Sequence, residues 1–437
     1  METPDNQQSL EISQDNQTSE SGSSEEGKYW LRGVSADKED VEDAGESTGE
    51  DKGSFPDAFC KIMQDPTRED WVVIPHADGA GTKSSLAYIY WKETGDASVF
   101  AGPIRDSMIM NTDDILCAGG TLGHTFFTST IGRNKGKIPG EILKVMFQAD
   151  YDFRKEMGKY GVNLYGGVGE TADVGDLVRT VIIDHSGFTM MKKEDIIDNG
   201  RISAGDYIVG LASSGQVIYE TDFNGGIGSN GLTNARHDML YSKYRRKYRE
   251  SFDPELLKSG LAYNGKYSLT DAVYPDPKNP DYKTTIGKLI LSPTRTYMPI
   301  MMEVFKQIGT KVINGIVHCS GGGQAKILKS LDYGLCAIKS NMFEIPHLFH
   351  LIQQESGQSW EEMYKVFNMG HRLEICVPKI EDAKKIIQIS ESFGVRADII
   401  GRIMLSGNSN EKNVQITMPG GVLEQPIKYS ATRQHTK

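Results

Sequence analysis

Trp71-Val72-Val73-Ile74-Pro75-His76-Ala77-Asp78-Gly79-Ala80-Gly81-Thr82-Lys83 is the stretch on which the reading of this chain turns. The apolar run Trp71 to Ile74 reads as a buried strand. It leads into a carboxylate, two glycines and a lysine. A carboxylate at a strand end can hold a divalent cation, glycines let backbone N–H groups approach an anion, and a lysine adds a point charge. Asp78 is therefore a candidate metal ligand, and Gly79, Gly81, Thr82 and Lys83 are candidates for holding phosphate. The plainer alternative is a strand–turn with a solvated lysine. A P-loop is excluded, because Thr82 intervenes before Lys83 and the G-x-x-x-x-G-K-[ST] spacing fails.

Working outward, 437 residues predict two domains or three. Residues 1–52 hold 15 acidic and 4 basic side chains, a balance equal to the net charge of -11 of the whole chain. The remainder is neutral and carries no bulk field toward nucleic acid. Segment 1–27 is too polar to bury anything and reads as disordered. No apolar run approaches the ~18 residues of a membrane span, and no signal or transit pattern opens the chain, so a cytoplasmic protein with no membrane partner is expected. Five cysteines stand far apart with no CxxC pair, which argues for reduced, buried thiols rather than a zinc site.

Three regions follow: an acidic tail over 1–52, an N-terminal domain over 53–198, and a C-terminal domain over 199–437 with a Pro-rich surface insertion over 252–288. In the first domain, helices are predicted at Leu86 to Trp91, Ile104 to Cys117 and Gly140 to Met157. Strands are predicted at Phe126 to Ile131, Val162 to Tyr165 and Val178 to Ile183. In the second, a strand at Tyr207 to Leu211, a helix at Arg236 to Tyr248 and a helix at Tyr297 to Ile308 precede a strand at Val312 to Val317. The last of these helices carries Pro299 in its first turn. A β-α-β unit built on Leu373 to Val377, Ala383 to Phe393 and Val395 to Ile400 closes the chain.

Four acids, Asp78, Asp113, Asp114 and Glu170, recur at element ends beside glycines. Hard oxygen ligands on separate elements suit magnesium and a nucleotide better than an acid/base pair. Gly226 to Gly231 matches G-x-G-x-x-G but follows no strand, so it reads as a decoy for dinucleotide binding. Ser229 and Asn230 offer a hydroxyl and an amide to a polar ligand, or simply a turn. Arg295 is a candidate phosphate contact, with a helix cap beside it as the bland reading. His318 precedes Gly321-Gly322-Gly323, where something can approach closely.

The order of these pieces resembles the phosphoribosylformylglycinamidine cyclo-ligase (aminoimidazole ribonucleotide synthetase) family from about Gly53 to Ile403. The resemblance rests on Asp78 to Lys83, Asp113-Asp114, Gly169-Glu170-Thr171-Ala172, Ala204-Gly205-Asp206, Ser229-Asn230-Gly231, Pro293-Thr294-Arg295, His318 with Gly321 to Gly323, and Phe367-Asn368-Met369-Gly370. It implies an α+β, two-domain fold whose N-terminal strands form a barrel across a homodimer, with a C-terminal α/β domain. It implies ATP and Mg2+, and closure of the imidazole ring of a ribonucleotide through phosphorylation of a formamide oxygen. It also implies metal ligands at Asp78, Asp113, Asp114 and Glu170. Nucleotide contacts fall at Gly79, Gly81, Thr82, Lys83, Ser229, Gly321 and Gly322, and catalytic roles at His318, Asn230 and Arg295. The chain departs from the family at Asp113, Val168 and Gly228. Thiamin-monophosphate kinase-like transfer, or ATP binding without turnover, are the alternatives within the superfamily.

Overall fold

The computed structural model describes residues 31–34 and 53–433. The expectation of disorder over 1–27 lies outside the described residues, as does most of the acidic tail. The fold is α+β, with two large sheets, helices against both, and a two-stranded ribbon pairing Ala272–Val273 with Thr284–Thr285.

The first sheet contains β1 (Trp71–Gly79), β2 (His124–Arg133), β3 (Asn163–Gly166), β4 (Glu170–Asp173) and β5 (Val181–Lys192). β5 lies between β1 and β2 and is antiparallel to both, while β3 and β4 run parallel to β2. Val181, Ile183, His185, Gly187, Thr189 and Met191 of β5 point inward, and the residues between them are half-buried or exposed, the alternation of a sheet packed on one face. The strand runs well past the Ile183 predicted as its end. Polar inward residues interrupt the apolar pattern there but are satisfied, His185 by Ser107 at 2.7 Å and Thr189 by Thr125 at 2.7 Å.

Three helices serve this sheet: α1 (Lys83–Thr94), α2 (Ala101–Cys117) and α3 (Gly140–Lys159). β1 continues through Asp78 and Gly79, so only Ala80 to Thr82 separate it from α1. α2 is buried along nearly its whole length, including Asp106, Ser107, Asn111 and Asp113. A helix buried on every side must have cover on every side, and α2 packs on β1 and β5 and also touches a strand of the second sheet.

The second half opens with β6 (Tyr207–Ala212), followed by α4 (Leu232–Met239), α5 (Lys243–Lys247) and α6 (Met298–Ile308). The single helix predicted over Arg236 to Tyr248 is two short ones, because Leu240 is extended and bridges Tyr267. Then come β7 (Gly315–His318), β8 (Leu335–Lys339), α7 (His347–Ser356), α8 (Trp360–Val366), β9 (His371–Val377), α9 (Ile380–Ser392), β10 (Ala397–Leu405), β11 (Glu411–Ile416) and β12 (Ile427–Thr432).

The strand order of the second sheet is β7-β9-β6-β10-β8-β11-β12. All its pairings are antiparallel except β8 with β11, so this half is α+β rather than the α/β domain expected. The predicted β-α-β unit is β9-α9-β10, with β6 between its two strands. The stretch 252–288 is not a surface appendage: Ala262, Tyr263, Leu269, Val273 and Ile286 are buried in the main apolar core. Among the described residues, no helix is long and apolar enough to cross a membrane.

Candidate active site

Asp106 is the centre of the first cluster. It sits one and a half turns into α2, is fully buried, and accepts three bonds from three distant loops. Lys83 Nζ lies 2.5 Å from its Oδ2, Ser229 Oγ donates to the same oxygen at 3.1 Å, and the Thr294 N–H donates to Oδ1 at 2.6 Å. Lys83 also donates to the Ser292 carbonyl at 2.9 Å. Burial lowers the Lys83 pKa, and the Asp106 charge works against that fall. Thr82 Oγ1 meets Thr233 Oγ1 of α4 at 2.9 Å. The Asp78–Lys83 motif, the Ser229–Gly231 loop and the Pro293–Arg295 motif thus meet on one carboxylate that no sequence motif had named.

The second cluster is Asp114 between two histidines. His318 Nδ1 lies 2.5 Å from Asp114 Oδ1, and His76 Nε2 lies 3.4 Å from Oδ2. Burial disfavours the Asp114 charge, yet the bonds from His318 and His76 outweigh it and hold the carboxyl well below its usual range. An ionised carboxylate only accepts, so His318 Nδ1 donates to it and Nε2 is the ring nitrogen left to face a ligand. That Nε2 is buried and has no hydrogen-bond partner among the described residues. His76 Nδ1 bonds Asn111 Oδ1 at 3.0 Å. Burial opposes protonation of His76, but Asp114, Asn111 and the Asp78 charge raise its pKa overall.

The predicted metal ligands are divided. Asp78 accepts from the Gly79 N–H and stands beside Asp184 of β5, which faces Gly79 in the register. Burial first, and the Asp78 charge second, push the Asp184 carboxyl up. The register sets Asp78 across from His185 on the α2 side of the sheet and Asp184 across from Gly79 on the open face, so the two half-exposed carboxylates repel across the strand pair without sharing one ligand point. Asp113 is turned elsewhere: it is fully buried, accepts from Thr296 Oγ1 at 2.9 Å and from Arg372 at 3.0 Å, and burial raises its pKa. Glu170 is exposed, on the same open face of the sheet as Asp184. It is in register with Thr130, which pairs with Asp184, so two strand spacings, about 10 Å, separate Glu170 from Asp184. Asp78 and Asp114 thus lie on the α2 side of the sheet and Glu170 on its open face, so one chain does not bring the predicted ligands to one point.

Arg295 is corrected by its surroundings. Its guanidinium forks onto Glu220 at 2.9 and 2.6 Å and donates to the carbonyls of Ala212, Ser214 and Gly215. All five donors are occupied, so it closes the Ser213–Gly215 loop and has none left for a phosphate. Asn230 is half-buried, with its amide nitrogen facing Gly321, where an added Cβ would lie 3.5 Å away. Gly322 and Gly323 have φ of 92° and 49°, and a Cβ on Gly323 would strike the carbonyls of Tyr364 and Phe367.

Sequence reasoning missed His76, Asp106 and Asp184. Asp184 carried a legible signal, a charged residue inside an apolar strand run. Asp106 carried none beyond its place among apolar helix residues.

A third feature is the open face of the first sheet. Tyr165, Phe126 and Phe188 stack across β3, β2 and β5 with centroid separations of 4.9 and 5.2 Å, and two of the three are more than 40% exposed. Phe126 and Phe188, with Pro75 and Ala77, line a trough of about 650 Å³.

Comparisons with known proteins give a consistent answer. The chain is 29% identical over 354 residues to the phosphoribosylformylglycinamidine cyclo-ligase of Methanococcus vannielii, covering 79% of this chain and 80% of that one. Proteins of the same name from Alkaliphilus metalliredigens and Methanocaldococcus jannaschii are each 28% identical. They cover 81% and 78% of this chain and 86% and 81% of their own length. No family model matches. Among solved structures, a chain of the HypE–HypF complex aligns over 90% of this chain and 98% of its own, at 13% identity and a TM-score of 0.48. Thermotoga maritima PurL complexed with AMPPCP aligns at 12% identity and a TM-score of 0.41, and this chain spans 42% of it. Likeness at that level does not bear on function.

Proposed function

We propose, from the chain's membership of the phosphoribosylformylglycinamidine cyclo-ligase family of enzymes, that it closes the imidazole ring of aminoimidazole ribonucleotide from formylglycinamidine ribonucleotide and ATP. The formamide oxygen takes the terminal phosphoryl group of ATP. The amidine-side nitrogen then attacks the activated carbon, a C–N bond forms, and the C–O bond to phosphate breaks, leaving ADP, phosphate and a proton.

The observation that carries this reading within the chain is the pair of clusters on α2. Asp106 draws Lys83, Ser229 and Thr294 to one point, and a few turns on Asp114 orients His318 with a bare Nε2. Phosphoryl transfer needs positioning and charge neutralisation more than covalent help. The backbone of Gly79 to Thr82 and the Gly321–Gly323 loop are the places where phosphate and nucleotide can approach closely. Ser229 and Asn230 lie on the ribonucleotide side. His318 Nε2 is the acceptor for the proton released by the attacking nitrogen, and Asp114 stabilises the imidazolium that results. Asp78, at the end of β1, would be a ligand to Mg2+, which would supply charge neutralisation for the polyphosphate.

The aromatic face of the first sheet supports a homodimer, two copies placing these faces together so that their strands form one barrel. An exposed, stacked aromatic face rimmed by polar residues is the kind of surface that association covers.

The test is ADP release from ATP with formylglycinamidine ribonucleotide, followed by detection of the aminoimidazole product. Turnover that depends on this substrate is expected. Equal ADP release with thiamin monophosphate in its place would overturn the reading.

A further inference from the structure

Arg32 stands outside the span from Gly53 to Ile403 that carries the family motifs, yet it is among the most heavily bonded side chains of the molecule. The residue is 6% exposed, its side chain is fully buried, and it reaches across more than 200 residues of sequence. Nη1 donates to Asn234 Oδ1 at 2.8 Å, to the Asn234 carbonyl at 3.4 Å and to Asp238 Oδ2 at 2.9 Å. Nη2 donates to Asp238 Oδ1 at 2.6 Å and to the Leu261 carbonyl at 3.2 Å, and Nε donates to the same carbonyl at 3.3 Å. Asn234 and Asp238 are four residues apart and so share one face of α4. The arginine therefore bolts that face to the Leu261 turn of the 252–288 stretch.

What α4 carries gives the contact its meaning. The helix begins directly after Ser229-Asn230-Gly231, with Gly231 in the left-handed region at φ 75° and a Phe367 ring filling the place of its missing Cβ. In its first turn, Thr233 meets Thr82 of the glycine loop. Ser229, just ahead, is held by Asp106. A rotation of α4 by even a fraction of a turn would move Ser229, Asn230 and Thr233 together. α4 has only eight residues and no side-chain cap, so its own turns do little to fix it.

We infer that Arg32 is a positioning residue: the N-terminal extension supplies it to lock α4, and through α4 it sets the substrate-side loop Ser229–Gly231 against the Asp78–Lys83 loop. A bidentate arginine–carboxylate pair fixes orientation as well as distance, which a single lysine contact does not. The inference rests on the reading of Ser229–Gly231 as a ligand-contacting loop.

The experiment compares the full chain with R32A and R32K by hydrogen exchange and by steady-state kinetics. In R32A, amides of Leu232–Met239 and of residues 228–231 are expected to exchange about tenfold faster or more, while β6 and β9 keep their protection. KM for the ribonucleotide rises, kcat changes less, and millimolar guanidinium chloride restores part of the loss. R32K, which keeps a charge opposite Asp238 but loses the fork, falls between R32A and the native chain, and it decides the matter should R32A fail to fold. Unchanged exchange at 228–231, or protection lost evenly over both sheets, overturns the inference. Exchange needs no substrate: a native chain that turns nothing over sinks the functional reading and leaves this one to be decided by the amides.

Discussion

Asp106→Asn is the sharpest perturbation the site offers, since it changes no volume and removes one charge. Asp106 and Lys83 are both fully buried, 2.5 Å apart, with no water-facing atoms to relax toward. The carboxylate also takes the Thr294 N–H and the Ser229 hydroxyl. An asparagine can keep one of these acceptor contacts through Oδ1, but its amide then points a donor at the lysine or the serine. Breaking a buried pair by removing one partner costs about 3–5 kcal/mol, because the other charge is left uncompensated. For a chain of this size that lowers Tm by about 3–5 °C. Lys83 already titrates low through burial, so the relief open to it is loss of its proton, and the charge at the glycine loop goes with it. Urea and thermal unfolding measure the first effect, and nucleotide affinity the second. The companion double variant, Lys83→Met with Asp106→Leu, replaces the pair by apolar groups. It should recover most of the stability, since such replacements are often neutral or better, while nucleotide affinity stays lost. A single Asp106→Asn variant within about 1 kcal/mol of the native chain would refute the reasoning, as it would show the carboxylate to be hydrated or uncharged.

Asp114→Asn should lower kcat about 100-fold or more, by freeing the His318 ring from its tautomer, while the Mg2+ concentration for half-maximal rate stays put. A shifted Mg2+ dependence would instead make Asp114 a metal ligand. Phe188→Glu places a charge in the stacked aromatic face and should convert a dimer to monomer in sedimentation without altering far-UV circular dichroism; a monomeric native chain removes the barrel proposal. Stability should also decline on acidification below about pH 6.5. Burial, then the charges of Arg236 and Arg32, depress the His237 pKa, so the folded ring stays neutral while the unfolded one takes up a proton below its ordinary value of 6.5. The stability present above that value falls by about 1.4 kcal/mol per pH unit for this group alone. His237→Asn should flatten that slope in urea titrations run between about pH 6.5 and 5.

The parts of the fold that showed in the sequence were those whose burial is one-sided and apolar. Tyr297 to Ile308 has an apolar stripe and a proline at its start, and α6 lies within a residue of that prediction. β5 failed the same reading at Asp184-His185-Ser186-Gly187, because its inward face there is polar and is satisfied by α2, a partner 78 residues away for His185. The 252–288 stretch misled through its prolines and charges, which mark turns but say nothing of Tyr263, Leu269 and Val273 between them; a proline ends an element locally and leaves its neighbours free to be buried.

The site divides along the same line. Glycines and acids at strand ends are visible because turns and ligands constrain them locally, so the Asp78, Ser229 and His318 loops could each be found. What joins them could not. Asp106 and Asp114 lie eight residues apart on one helix, and acids at such a spacing ordinarily read as a solvated edge. They are interior only because α2 is covered on one side by β1 and β5 and on the other by β7, and that double cover is a property of two sheets meeting. A carboxylate placed there must be paired, since desolvation alone would neutralise it. The pairs it finds, Lys83 and Ser229 for one, His318 and His76 for the other, come from a helix start, a loop and strands of both sheets. The buried acids of α2 are thus what turns several weak loop motifs into one site.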